Sequence, residues 1–128
     1  MDTRRKIVSL EAAAGISEEL HARGGKLTIV AGYFDVLTAD HVRRIRALAN
    51  GQPLMAAVLD PPRPILAAQA RAELAAALSV IDYVVRVPES GLDRALEKIR
   101  PDEVVREETA DHARSTALME HVHLRQRT

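Results

Sequence analysis

One stretch of the sequence has the residue types and spacing to handle a phosphate group. Residues 32–41 read GYFDVLTADH, where an apolar run ends at a Gly-aromatic-aromatic-Asp turn and a helical pattern then begins. An α/β protein places a phosphate site at such a point, because the backbone N–H groups and the dipole of the helix start favour an anion. Thr38 and Asp40 also suit a purely structural role, since both residue types cap helices and complement the dipole.

The histidines towards the carboxyl end are the second group with potential chemistry. His121 and His123 are spaced i, i+2, which places them on different sides of a helix, whereas metal-binding helices use i, i+4. With His112 nearby, we interpret them as part of a solvated tail and expect no metal site. The segment REETADH (106–112) is interpreted as a polar helix start. No Ser-His-Asp pattern or Walker-type loop is recognisable.

Composition narrows the class of protein. The 128 residues fit one domain, 1–128, that is long enough to bury a core. The 18 basic and 18 acidic residues balance, which argues against a nucleic-acid or membrane-surface binder. Three aromatics are too few for a base-stacking platform, and the lack of cysteine excludes thiolate chemistry. The first residues hold no apolar run of signal-peptide length, so we expect a cytoplasmic protein.

Four short apolar runs predict the strands that must position this turn. They cover residues 27–34, 53–59, 82–87 and 103–106. Their hydrophobicity is continuous rather than alternating, which is typical of parallel strands covered on both faces. A leading helix is predicted at about 9–23, ended by Gly24-Gly25, and a last helix at about 110–126.

Helical patterns occupy the gaps between the strands. The apolar stripes predicted for these helices are Val42, Ile45, Leu48 and Ala49, then Leu66, Ala70, Leu74, Ala77 and Leu78, then Leu92, Leu96 and Ile99. Ser90 is predicted to cap the third of them, with Pro101 stopping it, and Leu118 and Val122 are predicted on the inner face of the last helix.

The alternation of strands and helices predicts a three-layer α/β/α Rossmann-like fold. We expect a parallel sheet of about four strands, with right-handed crossovers and an additional helix at the amino end. The first strand, Leu27–Ala31, is predicted to be central. Ligands of such sheets bind beyond the carboxyl ends of the strands, which is where residues 32–41 begin.

Several separated motifs resemble the nucleotidyltransferases of the HIGH superfamily. Residues 32–41 resemble the signature G-x-F-D-x-x-H-x-G-H, and residues 6–35 resemble the helix and strand that lead into it. Residues 63–105 are similar to the family's R-P, R-x-x-x-L-x-x-L-x-x-V-D-x-V-V and L-x-P-D-x-x-V run. The likeness is strongest to the adenylyltransferase domain of ADP-heptose synthase and to small cytidylyltransferases.

The resemblance implies a nucleotide site. In this family a nucleoside triphosphate, ATP or CTP with Mg²⁺, lies over the first strand and the following helix start. A sugar phosphate or similar acceptor then attacks the α-phosphorus. The resemblance implies catalytic roles for Thr38 and His41, nucleotide binding by Gly32, Tyr33, Phe34, Asp35, Asp40 and Arg71, and substrate binding by Arg63 and Arg106.

The signature departs from the family at two positions that matter for phosphate. Thr38 stands where the first histidine belongs, and a hydroxyl cannot carry the charge of an imidazolium. Asp40 stands in the glycine position, where a carboxylate repels a polyphosphate. The segment AVLDPPRP (57–64) is shorter than the family's basic loop, and Glu107 replaces a further glycine. We therefore expect catalysis to be weak or lost.

Three functions stay open from the sequence. The first is a nucleotidyltransferase-like domain that still binds a nucleotide or sugar phosphate. The second is a non-catalytic regulatory or interaction module, for which a homodimer is an option because the last predicted strand forms a sheet edge that needs a cover. The third is a scaffold for a different small ligand, because a fold does not fix a function.

Overall fold

Five strands and five α-helices alternate along the chain. The computed structural model describes residues 2–49 and 51–126. The strands are β1 (Ile7–Val8), β2 (Thr28–Gly32), β3 (Leu54–Leu59), β4 (Tyr83–Val87) and β5 (Glu103–Arg106). The helices are α1 (Leu10–Ala22), α2 (Ala39–Ala49), α3 (Ala68–Ala77), α4 (Leu92–Ile99) and α5 (Glu108–Gln126). Short 3-10 turns at Thr3–Lys6 and Glu89–Gly91 precede β1 and α4.

The strands form one parallel sheet in the order β1-β4-β3-β2-β5. The predicted parallel α/β/α fold is confirmed. The prediction of about four strands was one short, because the two-residue β1 has no apolar run of its own to detect. The predicted central place of residues 27–31 was also wrong. Strand β2 is interior, between β3 and β5, but β3 is the middle strand.

Helices cover the sheet on both faces. On one face, Ala13 of α1 and Leu92, Ala95 and Ile99 of α4 join the buried core. On the other face, Ile45 of α2 joins the small residues of α3. The strands between them are fully buried over β2 and β3, which explains their continuous hydrophobicity.

The buried stripe of α3 differs from the predicted one. Its buried side chains are Arg71, Ala72, Ala75 and Ala76, whereas Ala77 is exposed and Leu74 half-buried. Alanine at i, i+3 and i+4 lets the helix approach the sheet closely, so the bulkier leucines take its margins. The sequence has alanines on several sides of this helix, and apolar periodicity alone does not choose between them.

The start of α4 was also predicted incorrectly. Ser90 lies in the 3-10 turn, Gly91 occupies the N-cap position, and no side chain caps α4. The helix ends at Arg100, which has a left-handed φ of 58° and donates its backbone N–H to the carbonyl oxygen of Leu96. Pro101 follows immediately, as expected after a helix end.

Helix α5 extends past the body of the protein. The residues 111, 115, 118 and 122 form one stripe at helical spacing. Asp111 and Ser115 at its start are buried, but Leu118 and Val122 are 40% and 45% exposed. The prediction that these two residues face inward was therefore wrong. The stripe is continuous, but the sheet ends before the helix does.

The chain order places a crevice between β2 and β5. From β2 the chain moves outward through β3 to β4, and α4 then carries it back across the sheet to β5 on the other side of β2. Strand β2 thus lies between β3, its successor along the chain, and β5, where the strand order reverses, and such a reversal is the topological switch point where open α/β sheets bind ligands. Gly32 ends β2 at this point and α5 starts beside it.

Candidate functional site

The turn after β2 is the strained part of the site. Phe34 has a positive φ of 54°, a left-handed conformation that is unusual for a bulky side chain. Its ring is fully buried, with its centroid 6.3 Å from that of His41. Strained backbone of this kind persists only where packing enforces it, and it clusters at binding sites. Phe34 thus fixes the course of the chain between β2 and α2.

Thr38 and Asp40 have structural roles at the start of α2. The Oγ1 of Thr38 accepts the backbone N–H of His41 at 3.3 Å, as an N-cap does. The side chain of Asp40 is 88% exposed and pairs with Arg43 one turn later. Both side chains therefore have partners within the first turns of α2.

His41 is buried beside the end of β2. Burial and, to a smaller extent, the nearby charges of Arg114 and Arg44 together lower its pKa from 6.5 to about 4. Arg114 Nη2 lies 3.4 Å from His41 Nε2, so Nε2 accepts and the ring proton resides on Nδ1. Nδ1 is buried without a partner among the described residues. At neutral pH this ring is uncharged.

A carboxylate from α5 occupies the switch point. Asp111 is fully buried, and its Oδ2 accepts the backbone N–H of Tyr33 at 2.7 Å. Its Oδ1 accepts from the Arg114 guanidinium and lies 3.7 Å from His41 Nε2. Arg114 also donates to the carbonyl oxygen of Val36 at 3.0 Å. We call His41, Asp111, Arg114 and the Tyr33 N–H the Asp111 cluster.

Gly32 is required by this cluster. A Cβ atom at residue 32 would collide with Oδ2 of Asp111 and would lie 3.5 Å from the Cβ of Glu107. The absent side chain therefore lets the carboxylate reach the backbone. Glu107 is held nearby by an ion pair with Arg44 of α2 at 2.9 Å. Gly32 was predicted to bind nucleotide, and the group that approaches it in the structure belongs to the chain itself.

Asp35 and Arg71 tie loops to the sheet. Both Asp35 oxygens accept backbone N–H groups, from Ile65 at 2.6 Å and Leu66 at 2.7 Å. Arg71 is 1% exposed. Its guanidinium donates to the carbonyl oxygens of Leu66, Tyr33 and Leu59 and to Asp60. Both side chains lie at the predicted edge, but their polar atoms are engaged within the protein.

The two remaining predicted residues lie at the surface. Arg63 is exposed in the segment between β3 and α3. Arg106, at the end of β5, has a side chain that is 57% exposed and pairs with Glu108 at 3.0 Å. Glu108 raises the pKa of this guanidinium above its ordinary value. Both arginines are therefore positioned to meet a ligand only outside the Asp111 cluster.

Cavity size does not identify the site. A cavity of about 730 Å³ lies between α1 and α4, next to Ser17, His21 and Arg100. It adjoins the amino end of β5, which is the wrong edge of the sheet for a ligand of this fold. At the carboxyl edge, a cavity of about 170 Å³ lies beside Asp60 and Arg86. That volume is below the range of about 300–1,000 Å³ typical of ligand sites.

Sequence reasoning assigned Asp111 to a polar helix start and gave Arg114 no role, so it missed both residues. One signal was available. Their i, i+3 spacing places them on the face that continues through residues 115, 118 and 122, so a charged pair begins an otherwise apolar stripe. The burial of that pair depends on α5 starting directly after β5, which no local pattern specifies.

Neither a metal cluster nor a membrane span is found in the part of the chain that the structure describes. No three acidic, histidine or cysteine side chains there are grouped to hold a metal ion. No helix among those residues combines the length and the apolar character needed to cross a membrane. His121 of the carboxyl-terminal histidines is exposed, whereas the side chains of His112 and His123 lie outside the described residues.

Comparison with known proteins shows that this chain is similar to one part of a longer protein. No family model matches the chain. The chain is 35% identical, over 81% of its length, to the bifunctional protein HldE of Azotobacter vinelandii. It is 32% identical over the same share to the bifunctional proteins HldE of Ectopseudomonas mendocina and Pseudomonas aeruginosa. The chain spans about a quarter, 24%, of the length of each. This similarity supports a nucleotidyltransferase-type domain of the cytidylyltransferase-like kind.

Proposed function

We propose that this chain is a nucleotidyltransferase-type domain that keeps the phosphate crevice at the β2–β5 switch point but has lost nucleotide transfer. The similarity to HldE and the resemblance of residues 32–41 to the HIGH-superfamily signature support the origin of the crevice. The ligand class that fits this origin is a nucleotide or a sugar phosphate, with Mg²⁺ arriving on the nucleotide.

The main observation in favour of a loss of nucleotide transfer is that the His41 ring is uncharged and has neighbours at its Nε2. Transfer needs positive charge where pyrophosphate leaves, and preorganised donors at such a place give most of the rate enhancement. His41 is the one histidine of the motif that this chain retains, and its pKa of about 4 keeps it neutral at pH 7. Arg114 and Asp111 also lie against its Nε2. The ring is therefore a poor donor to a departing phosphate.

The substituted positions act in the same direction. Thr38 uses its Oγ1 to cap α2, and Asp40 places a carboxylate on the first turn of that helix. Removing one transition-state donor costs about 100- to 1,000-fold in rate, and a nearby negative charge weakens ground-state binding as well. Both substitutions therefore weaken the interaction of the site with the phosphate groups of the ligand.

A pyrophosphate-release assay tests this proposal. We expect the unmodified protein with Mg²⁺, ATP or CTP and a set of sugar phosphates to stay at the background rate. A Thr38→His, Asp40→Gly double variant regains an imidazole and loses a carboxylate, so we expect it to bind nucleotide more tightly. Rapid turnover by the unmodified protein, abolished in His41→Ala, would contradict the loss of transfer.

A non-catalytic interaction module is the second candidate function. The observation that favours it is the distal half of α5, where Leu118 and Val122 are exposed on the stripe that packs inward one turn earlier. Exposed apolar residues aligned on one helix face are typical of surfaces that bind another protein. This function is compatible with the first, because a domain without transfer activity can still bind nucleotide and a partner.

A further inference from the structure

The groups around Asp111 are those that bind phosphate. A backbone N–H and a guanidinium donate to its two carboxylate oxygens, and the His41 ring lies 3.7 Å from one of them. These donors are the usual partners of phosphate oxygens, and Arg in particular pairs with planar or tetrahedral oxyanions. The Asp111 carboxylate thus accepts hydrogen bonds from groups of the same chain that would otherwise be available to an anion at the switch point.

The Asp111 cluster is not a strong source of stability. Asp111 is fully buried and Arg114 is partly buried, and desolvation lowers the pKa of the Arg114 guanidinium. Taking an ion pair out of water offsets much of its Coulomb attraction. The cluster also leaves His41 Nδ1 without a partner among the described residues. A more highly charged anion that reaches these donors therefore competes well with a single carboxylate.

Among the side chains of α5 that the structure describes, little apolar surface is buried against the body of the protein. Its side chains described as buried are Asp111 and Ser115, which are both polar. Beyond Ser115 the described side chains are exposed, except for the half-buried Met119. Hydrophobic stabilisation scales with the apolar area removed from water, so moving α5 away from the sheet loses little of it. Neither of the two apolar cores includes a described residue of α5.

We propose that α5 is a displaceable cover, in which the Asp111 carboxylate acts as an internal phosphate mimic that a polyphosphate ligand replaces at the Tyr33 N–H. This inference rests on the proposed function, because it assumes that the crevice takes nucleotide phosphates. In the covered state Asp111 excludes the ligand by charge and by volume above Gly32. In the open state the Tyr33 N–H and His41 line the crevice, and Arg114, released from Asp111, is free to donate to the ligand from the displaced helix.

Tripolyphosphate is the probe for this exchange, because it carries the charge of the nucleotide without the base. Isothermal titration calorimetry is performed with the unmodified protein, with Asp111→Asn and with Asp111→Ser. Asp82→Asn is the matched control, since Asp82 also accepts a strand N–H, that of Leu54 at 2.9 Å, but at the amino edge of the sheet. Circular dichroism melts confirm that each variant is folded.

The expected result is a gain of affinity in both Asp111 variants of roughly tenfold or more, with no change in Asp82→Asn. Hydrogen exchange on the unmodified protein supplies the second measurement. Saturating tripolyphosphate is expected to speed exchange of the amides of residues 110–119, because the cover leaves the sheet. Equal affinity of the unmodified protein and both Asp111 variants would overturn the proposal, as would a bound state in which those amides stay as protected as before.

The two proposals fail in different experiments. Nucleotide transfer by the unmodified protein would contradict the proposed loss of function and leave the cover as a control device on an active enzyme. Nucleotide binding with unchanged hydrogen exchange in α5 would agree with the proposed function but would contradict the proposal that α5 is a displaceable cover.

Discussion

His41 illustrates how burial changes the chemistry of a residue whose place at a helix start the sequence predicts. The motif predicts a histidine at the start of a helix, and it is there. Its protonation depends instead on Arg114, Arg44 and the loss of water, none of which is visible in residues 32–41. The same holds for Arg71 and Asp35, whose positions follow from the motif but whose buried partners come from distant segments.

Acid should destabilise this protein through His41. The folded-state pKa of about 4 lies below the ordinary 6.5, so the unfolded chain takes up a proton first as the pH falls. The contribution of the neutral ring is complete above pH 6.5 and is lost progressively towards pH 4. That loss is roughly 3 kcal/mol of unfolding free energy.

Urea unfolding at pH 7, 5.5 and 4.5 measures this dependence. A His41→Gln variant serves as the reference, because it removes the ionisable ring at position 41 and leaves the rest of the sequence unchanged. The difference between the two proteins should shrink as the pH falls. A constant difference across this range would contradict a neutral, buried His41.

At the scale of the element, most patterns that depend on one segment were predicted well, except the capping of α4 by Ser90, whereas those that depend on two segments were not. Gly24 ends α1 with a φ of 76°, and Thr38 caps α2, as local rules indicate. The inner faces of α3 and α5 were misjudged, because the apolar pattern does not state how closely a helix approaches the sheet or where the sheet ends. Those are properties of the packed elements.

Arg71 should be the most sensitive charged residue for stability, because it joins α3 to the ends of β2 and β3. Lysine keeps the charge but lacks the planar fork that reaches three carbonyl oxygens and Asp60. We expect Arg71→Lys to lower the unfolding free energy by about 2–4 kcal/mol. Urea unfolding measures the change.

The control for that substitution is Arg63→Lys, on an exposed arginine of the preceding segment. It should stay within about 0.5 kcal/mol of the unmodified protein. A similar small effect in Arg71→Lys would show that the guanidinium contacts of Arg71 contribute little to the fold.

At the scale of the molecule, the alternation of strands and helices was enough to predict the layers and the parallel sheet. The strand order places the crevice next to β5, and that order followed from no single segment. The presence of α5 across the crevice could not be predicted either, because the likeness to the family concerns mainly residues 6–106. The position of the segment after β5 is therefore the main feature of the molecule that the sequence alone did not predict.

We expect the exposed half of α5 to mediate self-association. Glutamates at Leu118 and Val122 would place charge on the apolar stripe and should give a monomer where the unmodified protein forms a dimer. Sedimentation velocity over a range of concentrations measures this. Ala117→Glu with His121→Glu, on the neighbouring exposed face of the same helix, is the control and should leave the dimer intact. A monomeric unmodified protein at every concentration would contradict this expectation.

The most direct test of the account is the hydrogen-exchange rate of the Tyr33 amide. This amide follows the last residue of β2, and its N–H is donated to the buried Asp111 carboxylate. If the chain's own carboxylate occupies the switch point, this amide should be strongly protected in the unmodified protein. It should exchange roughly ten times faster or more in Asp111→Ser, while the amide of Leu54, capped by Asp82, keeps its rate. A Tyr33 amide that exchanges at the rate of an exposed loop in the unmodified protein, or at the same rate in both proteins, would contradict the account.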